Sequence, residues 1–347
     1  MKAQNGPVLI TGDTGFKGAW LSLLLKRLGI EHHGFALEAH SGSLYQRLEV
    51  ENLFPRTLGD IRDLAKLKQT FGTSKPSIVV HMAAQSLVLK SYREPIETFE
   101  VNVLGTANVL QAAFETPSVQ VVLVITTDKV YQNDNSGKKF KENDPLAGKD
   151  PYSASKVGAE AVCSAWQQIS KIKGGPKVIV ARAGNVIGGG DFAEDRIIPD
   201  LIRGIISNKS TSIRNANATR PWQHVLDPLM GYLLYIEETI LGNIDIPALN
   251  FGPSEKSLKV EKILEIGNKI FGSDFKFNLE QSKDNKEAQV LELDASLANE
   301  KLKWSPFWTQ EAAIYETFQW WRFVIDNQGS ASSACTNDID KVLNSYR

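Results

Sequence analysis

The sequence predicts an α/β protein built on a doubly wound parallel sheet, with a smaller lobe formed by the C-terminal part of the chain. Two observations predict the sheet: short runs rich in β-branched residues alternate with longer helical patterns, and these runs are apolar throughout. Strands that are apolar on both faces are typical of a sheet covered by helices on each side. The alternation stops near residue 185, where we expect the smaller lobe to begin.

The predicted strands and helices follow in order along the chain. Strands are predicted at 7–12, 31–37, 77–84, 119–127 and 177–184, and the clearest helical periodicity covers 15–29 and 94–115. A glycine run at 188–190 then precedes a helix at 196–207. We expect residues 1–185 to form the sheet domain and 186–328 to form mainly the smaller lobe, with segments that can return to the sheet. Residues 329–347 are interpreted as a flexible linker, GSASSA, and a terminal helix.

The bulk composition excludes several classes of protein. With 347 residues and a formal net charge of −1, the chain lacks the basic excess of a nucleic-acid-binding protein. Its two cysteines are too few for a disulfide scaffold or a zinc site, and we expect no bound metal. No segment approaches the roughly 20 apolar residues of a membrane span, and the N-terminus lacks the apolar run of a signal peptide. We therefore expect a cytoplasmic protein with no membrane or nucleic-acid partner.

A glycine-rich loop joins the first predicted strand to the first predicted helix. The stretch ITGDTGFKG places Gly12, Gly15 and Gly18 three residues apart, with Thr14 and Phe16 between them. Glycine permits the tight turn, the approach of a pyrophosphate to the backbone, and the packing of helix against strand. The helix N-terminus then faces the phosphates. A glycine-rich turn without a ligand is the alternative, but this context favours a Rossmann-type, dinucleotide-binding domain.

The end of the second predicted strand bears on the choice between NAD and NADP. An NADP site usually offers an arginine to the 2′-phosphate, whereas an NAD site offers an acid to the ribose hydroxyls. No arginine is present at residues 34–38 and Glu38 is the nearest acid, which favours NAD. Asp60 and Ile61 follow a further short strand and either hold the adenine edge or form an ordinary turn. Ala83 and Ala84 are small enough to let the cofactor approach.

A tyrosine and a lysine share one face of a predicted helix. Tyr152 and Lys156 stand four residues apart, after the helix-start signal Asp150-Pro151. We expect the ammonium group to lower the pKa of the phenol from about 10, so that the tyrosine can take a proton from an alcohol. Taken alone, such a pair is more often a pair on a helix surface.

Three polar residues end the fourth predicted strand. Thr127, Asp128 and Lys129 follow the apolar run VQVVLVI. An acid and a base beside an oxidation centre can remove water from an oxidised sugar, provided that burial shifts both pKa values. A solvated loop or a structural salt bridge is the alternative interpretation of the Asp-Lys pair.

Together these motifs resemble the extended short-chain dehydrogenase/reductase superfamily, in which a Ser or Thr, a Tyr and a Lys form the catalytic set. Thr127, Tyr152 and Lys156 match that set. Further stretches are similar to the nucleotide-sugar 4,6-dehydratases and, within them, to the CDP-glucose 4,6-dehydratases, among them TTDKVYQN, GGGDFAEDRIIPD and RPWQHV. The resemblance covers about residues 7–325.

The resemblance implies NAD as the cofactor, CDP-glucose as the substrate and a reaction in three steps. Tyr152, with Lys156 and Thr127, takes the proton of the C4 hydroxyl as hydride passes to NAD⁺. Lys129 then acts at C5 while Asp128 protonates the departing C6 hydroxyl, and the hydride returns to C6. The product implied is CDP-4-keto-6-deoxyglucose. Many relatives have Asp-Glu at this position. This chain has Asp-Lys, and the CDP-glucose branch is similar to it in this respect.

The nucleotide sugar is expected to lie against the smaller lobe. Asn185 follows a strand at the carboxyl edge of the sheet and is predicted to bind the pyrophosphate or the sugar. Arg196 and Arg220 suit a diphosphate because a guanidinium group presents a fork of donors. Gln85 is predicted to orient the sugar. Trp222 either packs on the base or fills the core.

Two histidines are interpreted as structural. His81 lies near the end of the third predicted strand and His224 lies in RPWQHV, and neither is needed as a base because Tyr152 supplies one. The chain departs from the family at 86–89, which read Ser-Leu-Val-Leu where Pro-Leu-Val-Arg is expected. This departure leaves the identity of the nucleotide base open.

The resemblance also implies a homodimer. The helix with Phe99, Val103, Leu104 and Leu110 and the helix carrying Tyr152 resemble the pair that forms a four-helix interface in this superfamily.

Two other functions stay open at this point. A nucleotide-sugar 4-epimerase or 4-reductase needs the Thr, Tyr and Lys set but no acid and base after Thr127. A non-catalytic dinucleotide-sensing protein would be favoured by loss of Tyr152 or Lys156, and both are present.

Overall fold

The fold is built around a parallel sheet. A computed structural model describes residues 6–48, 54–134, 136–213, 215–280 and 291–345. Within those ranges seven strands form the sheet, in the spatial order β12-β7-β5-β4-β1-β2-β3. Their bounds are β1 (Val8–Thr11), β2 (His32–Ala36), β3 (Arg56–Leu58), β4 (Ile78–His81), β5 (Val121–Thr127), β7 (Lys177–Ala183) and β12 (Ala248–Phe251).

Helices cover both faces of this sheet and build the second lobe. A π-helix, Glu100–Leu104, joins two of them into one continuous rod. The α-helices are α1 (Phe16–Arg27), α2 (Leu44–Arg47), α3 (Leu64–Ser74), α4 (Val88–Arg93), α5 (Pro95–Phe99), α6 (Gly105–Phe114), α7 (Pro151–Lys173), α8 (Ile197–Ile206), α9 (Leu226–Ile240), α10 (Val260–Phe271), α11 (Ser296–Leu302), α12 (Gln310–Ile325) and α13 (Ala331–Ser345).

Short strands form four small two-stranded pairs outside the main sheet, among the described residues. These pairs are β6 (Lys139–Phe140) with β15 (Glu292–Leu293), β8 (Val186–Ile187) with β11 (Gln223–His224), β9 (Thr211–Ile213) with β14 (Phe277–Leu279), and β10 (Thr219–Arg220) with β13 (Leu258–Lys259).

The sheet topology fixes where a ligand can bind. Every pairing in the main sheet is parallel, and the apolar residues of β1, β4 and β5 are buried, which confirms the doubly wound sheet predicted from the sequence. The strand order reverses between β1 and β4. Ligands of such folds bind in the crevice beyond the carboxyl ends of the strands at this reversal. The glycine loop follows β1, and Thr127 ends β5, at the same edge.

The second lobe contributes to the main sheet. Strand β12 lies beyond residue 185, yet it pairs with β7 in the register Ala248↔Val180 and forms the edge of the sheet. This strand therefore returns to the main sheet from the part of the chain that follows residue 185. Helix α9 packs against β5 and β7.

The C-terminal segment differs from the prediction. GSASSA was expected to be a flexible linker, but α13 already begins at Ala331. Ser330 caps this helix, since its Oγ accepts a hydrogen bond from the Ser333 backbone N–H at 3.1 Å. The helix packs on α1, where Arg27 and Asp340 form an ion pair at 2.7 Å. Among the described residues, no helix is both long enough and apolar enough to cross a membrane.

Candidate active site

The glycine loop provides a cradle for a diphosphate. Gly12 adopts φ +82°, a conformation that favours glycine, and a Cβ there would lie 2.7 Å from the Ala83 backbone nitrogen. A Cβ on Gly18 would collide with the Gly12 carbonyl oxygen, so α1 could not approach β1. Gly15 is the N-cap of α1 and leaves its first N–H groups without a side-chain partner. The first turn of α1 holds no acidic residue, and this combination fits a bound anion.

The turn after β2 lies beside the same loop. Thr14 donates a hydrogen bond from Oγ1 to the Leu37 carbonyl oxygen at 3.2 Å, and this bond holds the turn that carries the exposed Glu38 close to the glycine loop. The Asp60 carboxylate is engaged by Arg62 at 2.7 Å, and that ion pair holds the pKa of Asp60 below its usual range.

The residue after Asp60 faces the protein interior. Ile61 is buried and packs on α6, where a Cβ added to Gly105 would lie 2.5 Å from its Cδ1. The side chains of Asp60 and Ile61 both contact other residues of the protein. Only the backbone of residues 60–61 is therefore available for the predicted contact with adenine. Ala83 and Ala84 are half-buried beside the glycine loop.

The acid predicted at the end of β5 is buried. Asp128 is 3% exposed, and Thr127 donates a hydrogen bond from Oγ1 to its Oδ1 at 2.9 Å. Burial raises the pKa of Asp128, although the positive charge of Lys129 opposes this shift. The other carboxylate oxygen faces Gly184, where a Cβ would lie 3.1 Å away. This shift of the Asp128 pKa is in the direction that a proton donor requires.

Lys129, the predicted base, follows Asp128 directly and does not bond to its carboxylate. Lys129 is half-buried, and its backbone N–H donates to Thr127 Oγ1 at 3.3 Å. Within the described ranges no salt bridge joins its ammonium group to Asp128 or to another carboxylate. The interpretation of Asp128 and Lys129 as a structural salt bridge is therefore not supported.

Tyr152 and Lys156 begin α7 and point at the same edge of the sheet. Asp150 caps the helix, since its Oδ1 accepts a hydrogen bond from the Ser153 backbone N–H at 2.9 Å. Both side chains are buried, and the Tyr152 hydroxyl interacts with Thr127. Thr127, Asp128 and Tyr152 thus converge, although 24 residues separate the last two in sequence.

The expected electrostatic effect of the lysine is wrong for this structure. Burial raises the pKa of Tyr152 to about 12, and the Thr127 hydrogen bond and the charge of Arg196 only partly offset it. Lys156 donates instead to the Ile125 carbonyl oxygen at 3.2 Å, and burial lowers its own pKa to about 8. The sequence showed the spacing of the two groups but not the desolvation of the phenol.

A buried polar network supports this edge of the sheet from below. Arg182 of β7 binds both carboxylate oxygens of Glu160 at 2.8 and 2.9 Å, and it donates to the Tyr131 hydroxyl at 2.8 Å. Thr126 donates to Glu160 at 2.7 Å. Tyr131 in turn donates to Asn250 of β12 at 2.7 Å. The network fixes β5 beside β7 immediately before Thr127. The role of Arg182 is therefore to stabilise this part of the fold.

Gln85 also has a structural role. Its side-chain amide donates to Thr98 Oγ1 at 2.9 Å and to the Leu87 carbonyl oxygen at 3.2 Å. Asn102 of the π-helix binds the Gln85 backbone at both ends and donates to Ser155 Oγ at 2.8 Å. With both of its donors occupied, Gln85 shapes the turn beside the site, and the predicted sugar contact would have to use its remaining acceptor lone pair.

The predicted substrate residues differ in their availability. Asn185 is half-buried, and its side chain has no hydrogen bond to any described residue. Arg196 pairs with Asp191 at 2.9 Å, and its charge also acts on Tyr152. Arg220 lies close enough to Asp128 to lower the pKa of that carboxyl.

Trp222, by contrast, belongs to the core. It is 6% exposed and packs in the main hydrophobic cluster, so the structure supports the core-filling alternative.

Both histidines are enclosed as well. His81 lies between Thr11 and Thr106, and burial lowers its pKa to about 3. His224 has a pKa lowered to about 3 by burial, and its ring packs against Trp20 and Trp308.

Two residues of this region were not found from the sequence. Asn102 is buried in the π-helix, and no periodicity in the sequence marks it. Lys17 follows Phe16 in the first turn of α1, and its Nζ donates to the Tyr232 hydroxyl at 3.3 Å. The available signal was a charged residue in the first turn of a helix that is then uncharged as far as Lys26.

Comparison with known proteins agrees with the fold and the motifs. A family model described as GDP-mannose 4,6 dehydratase matches residues 9–317. The chain is 40% identical over 325 residues to the CDP-glucose 4,6-dehydratase of Salmonella typhimurium, covering 91% of this chain and 90% of that protein.

Solved structures share the fold. The UDP-glucose 4-epimerase of Thermotoga maritima superposes with a TM-score of 0.80 at 22% identity, covering 92% of this chain and 99% of the other. The dTDP-glucose 4,6-dehydratase of Streptomyces venezuelae, solved with NAD bound, gives a TM-score of 0.78 at 23% identity, covering 91% of this chain and 97% of the other.

Proposed function

The chain belongs to the GDP-mannose 4,6-dehydratase family, and on that premise we propose that it is an NAD-dependent nucleotide-sugar 4,6-dehydratase acting on CDP-glucose. The product is CDP-4-keto-6-deoxyglucose, and the leaving molecule is water. The observation that carries this proposal is the buried Asp128, held by Thr127 beside Tyr152 and followed by Lys129. The choice of CDP-glucose rests on the identity to the Salmonella enzyme of that name.

The residues around the C4 hydroxyl perform the oxidation. Tyr152 accepts the hydroxyl proton, and Thr127 hydrogen-bonds the same oxygen. Lys156 donates to the Ile125 carbonyl oxygen beside the site, and the positive charge of Arg196 acts to favour the phenolate. When bound, NAD⁺ would supply the redox chemistry, as the acceptor of the C4 hydride and the donor of a hydride at C6. The glycine cradle and the acid-free first turn of α1 fit the diphosphate of such a cofactor.

Asp128 and Lys129 perform the elimination. The C4 ketone makes the C5 proton acidic, and Lys129 removes that proton. The electron pair of the C5–H bond is held first as an enolate of the C4 ketone, and it forms a C5–C6 double bond when the C6–O bond breaks. Asp128 gives its proton to the departing hydroxyl, which leaves as water. Hydride addition at C6 and proton return at C5 then give the 4-keto-6-deoxy sugar.

The other predicted binding residues contact either the cofactor or the nucleotide sugar. Glu38 holds the adenosine ribose, and the backbone at Asp60-Ile61 lies at the adenine. Asn185, Arg196 and Arg220 bind the nucleotide sugar, since they lie at the carboxyl edge of the sheet or act on Tyr152 and Asp128.

The enzyme is further proposed to be a cytoplasmic homodimer. Large apolar side chains are exposed on α4, α5 and the adjoining π-helix: Leu89, Tyr92, Ile96, Phe99 and Leu104. Such a patch is typical of a protein interface. Leu110 of the same rod is wholly buried, so it belongs to the core and not to this face.

Incubation with CDP-glucose and NAD⁺ tests the reaction. The 4-keto sugar is measured by its alkali-induced ultraviolet absorbance, with dTDP-glucose and GDP-mannose as competing substrates. The Tyr152→Phe variant should form no ketone. A product that is the 4-epimer of the substrate, without loss of water, would overturn the proposal and favour the epimerase alternative.

A further inference from the structure

Lys17 brings an additional positive charge to the cleft. Its side chain leaves the first turn of α1, the turn whose backbone N–H groups face the glycine cradle. The Nζ atom donates to the Tyr232 hydroxyl at 3.3 Å and lies 5.7 Å from the centre of that ring. Tyr232 belongs to α9 and is wholly buried, so it fixes the direction of the lysine side chain.

The charges that face Lys17 come from three other elements. Arg196 precedes α8, Lys156 lies on α7 and Asp128 follows β5, and the charge of each acts on the ammonium group. Arg196 already pairs with Asp191, and Lys156 donates to a backbone carbonyl. Asp128 is the single acid in this set, and burial raises its pKa. Two of the three charges acting on the ammonium group therefore repel it.

The described residues place no carboxylate at salt-bridge distance from Lys17. Burial, followed by repulsion from Arg196 and Lys156, lowers its pKa to about 7. Lys17 is half-buried, and a partly desolvated cation without a carboxylate partner is costly, so an anion entering the cleft would relieve that cost. The phosphates of nucleotides are the anions that the adjoining helix N-terminus already favours.

We propose that Lys17 is an anion-binding residue of this cleft, and that its ammonium group pairs with a phosphate of a bound nucleotide. The phosphate belongs either to the dinucleotide cofactor or to the nucleotide sugar. This inference rests on the proposed binding of both nucleotides but not on the reaction that follows.

The inference predicts that nucleotide binding takes up a proton. A phosphate paired with the ammonium group raises the pKa of Lys17, so affinity is highest below about pH 7 and falls as the pH rises through that value. A charged hydrogen bond worth about tenfold in affinity corresponds to a rise of about one pKa unit in the complex. Its contribution is therefore nearly complete at about pH 6 and nearly absent at about pH 9.

Isothermal titration calorimetry of the full chain with NAD⁺, and separately with CDP, tests this. We expect Lys17→Met to weaken one ligand by about tenfold at about pH 6 and to match the wild type at about pH 9. Lys17→Arg should keep the affinity at both pH values, because the guanidinium group stays charged. Each variant is compared with the wild type at the same pH, so the ionisation of the ligand affects both affinities equally. The exposed Lys26 of the same helix gives a matched control, Lys26→Met, with no expected change.

The outcomes separate the two ligands and the two proposals. Loss confined to NAD⁺ assigns the contact to the cofactor, and loss confined to CDP assigns it to the nucleotide sugar. Unchanged affinity of Lys17→Met for both ligands overturns the inference, while the proposed function stands if the wild type binds both. Equal loss at every pH that Lys17→Arg does not restore also overturns it, because such a loss reflects damage to α1. Failure of the wild type to bind either nucleotide counts against the proposed function itself.

Discussion

Replacing Asp128 by asparagine should separate the oxidation of the sugar from the loss of water. The two side chains have the same shape, and the amide oxygen of asparagine can still accept the Thr127 hydrogen bond, which measures 2.9 Å. Only the carboxyl proton is lost. Asp128 is 3% exposed, so no bulk solvent reaches the position to act as a substitute acid. The change therefore removes the proton donor and leaves Tyr152, Lys156 and Lys129 in place.

The magnitude follows from what the donor contributes. General acid catalysis by a positioned group is worth roughly 10²–10⁴-fold, and each factor of ten is about 1.4 kcal/mol. We expect the rate of water loss to fall by that factor, which is about 3–5 kcal/mol in the barrier. Burial raises the pKa of Asp128, so the neutral amide should not lower the stability of the fold.

Three measurements on Asp128→Asn check this reasoning. NADH should form in a single turnover, the 4-keto-6-deoxy product should appear slowly, and CDP-glucose recovered from heavy water should carry deuterium at C5. The last result reports proton removal by Lys129 without elimination. Tyr152→Phe is the control, and it should show none of the three. Product formation by Asp128→Asn at the wild-type rate would refute the role of the acid.

Three further predictions concern the cofactor, the interface and the fold. Glu38→Ala should weaken NAD⁺ several-fold and leave NADP⁺ unaffected in a binding titration, and unchanged NAD⁺ affinity would remove Glu38 from the site. Ile96 is 71% exposed, and Ile96→Glu should shift the protein to a monomer in sedimentation velocity, whereas Ile206→Glu on α8 should not; a wild-type monomer at micromolar concentration contradicts the dimer. Burial raises the pKa of Asp227 to about 7, so stability falls as pH rises from the unfolded value of 3.8 to about 7. Asp227→Asn should therefore raise the free energy of unfolding by about 2–3 kcal/mol more at about pH 8 than at about pH 5, and the melting temperature should rise accordingly. An equal gain in melting temperature at both pH values would contradict the shift.

The sequence predicted the elements that have a local signal. The strands carry apolar runs, the glycine loop carries its spacing, and Tyr152 and Lys156 carry theirs. What these signals cannot supply is the surroundings of a group once the chain is folded. The pKa of Tyr152 was expected to fall because Lys156 is near in sequence, but burial acts more strongly and raises it to about 12.

Other residues were out of reach because their partners are distant in the chain. Lys17 meets Tyr232, which lies 215 residues away, and Asn102 meets Ser155 across 53 residues. The composition of the serine-rich stretch at 329–334 favours a linker, but this stretch includes the start of α13. Its first serine is instead a helix cap, and composition alone does not distinguish the two.

Strand β12 makes the main sheet depend on the C-terminal part of the chain. A fragment ending at residue 185 would leave the edge of β7 unpaired and would remove Asn250, whose amide also donates to the Phe140 carbonyl oxygen at 2.9 Å. An open strand edge of this kind invites self-association. Limited proteolysis between the lobes should thus release no autonomous nucleotide-binding piece, and a chain emerging from the ribosome cannot complete its sheet until residue 251 is available.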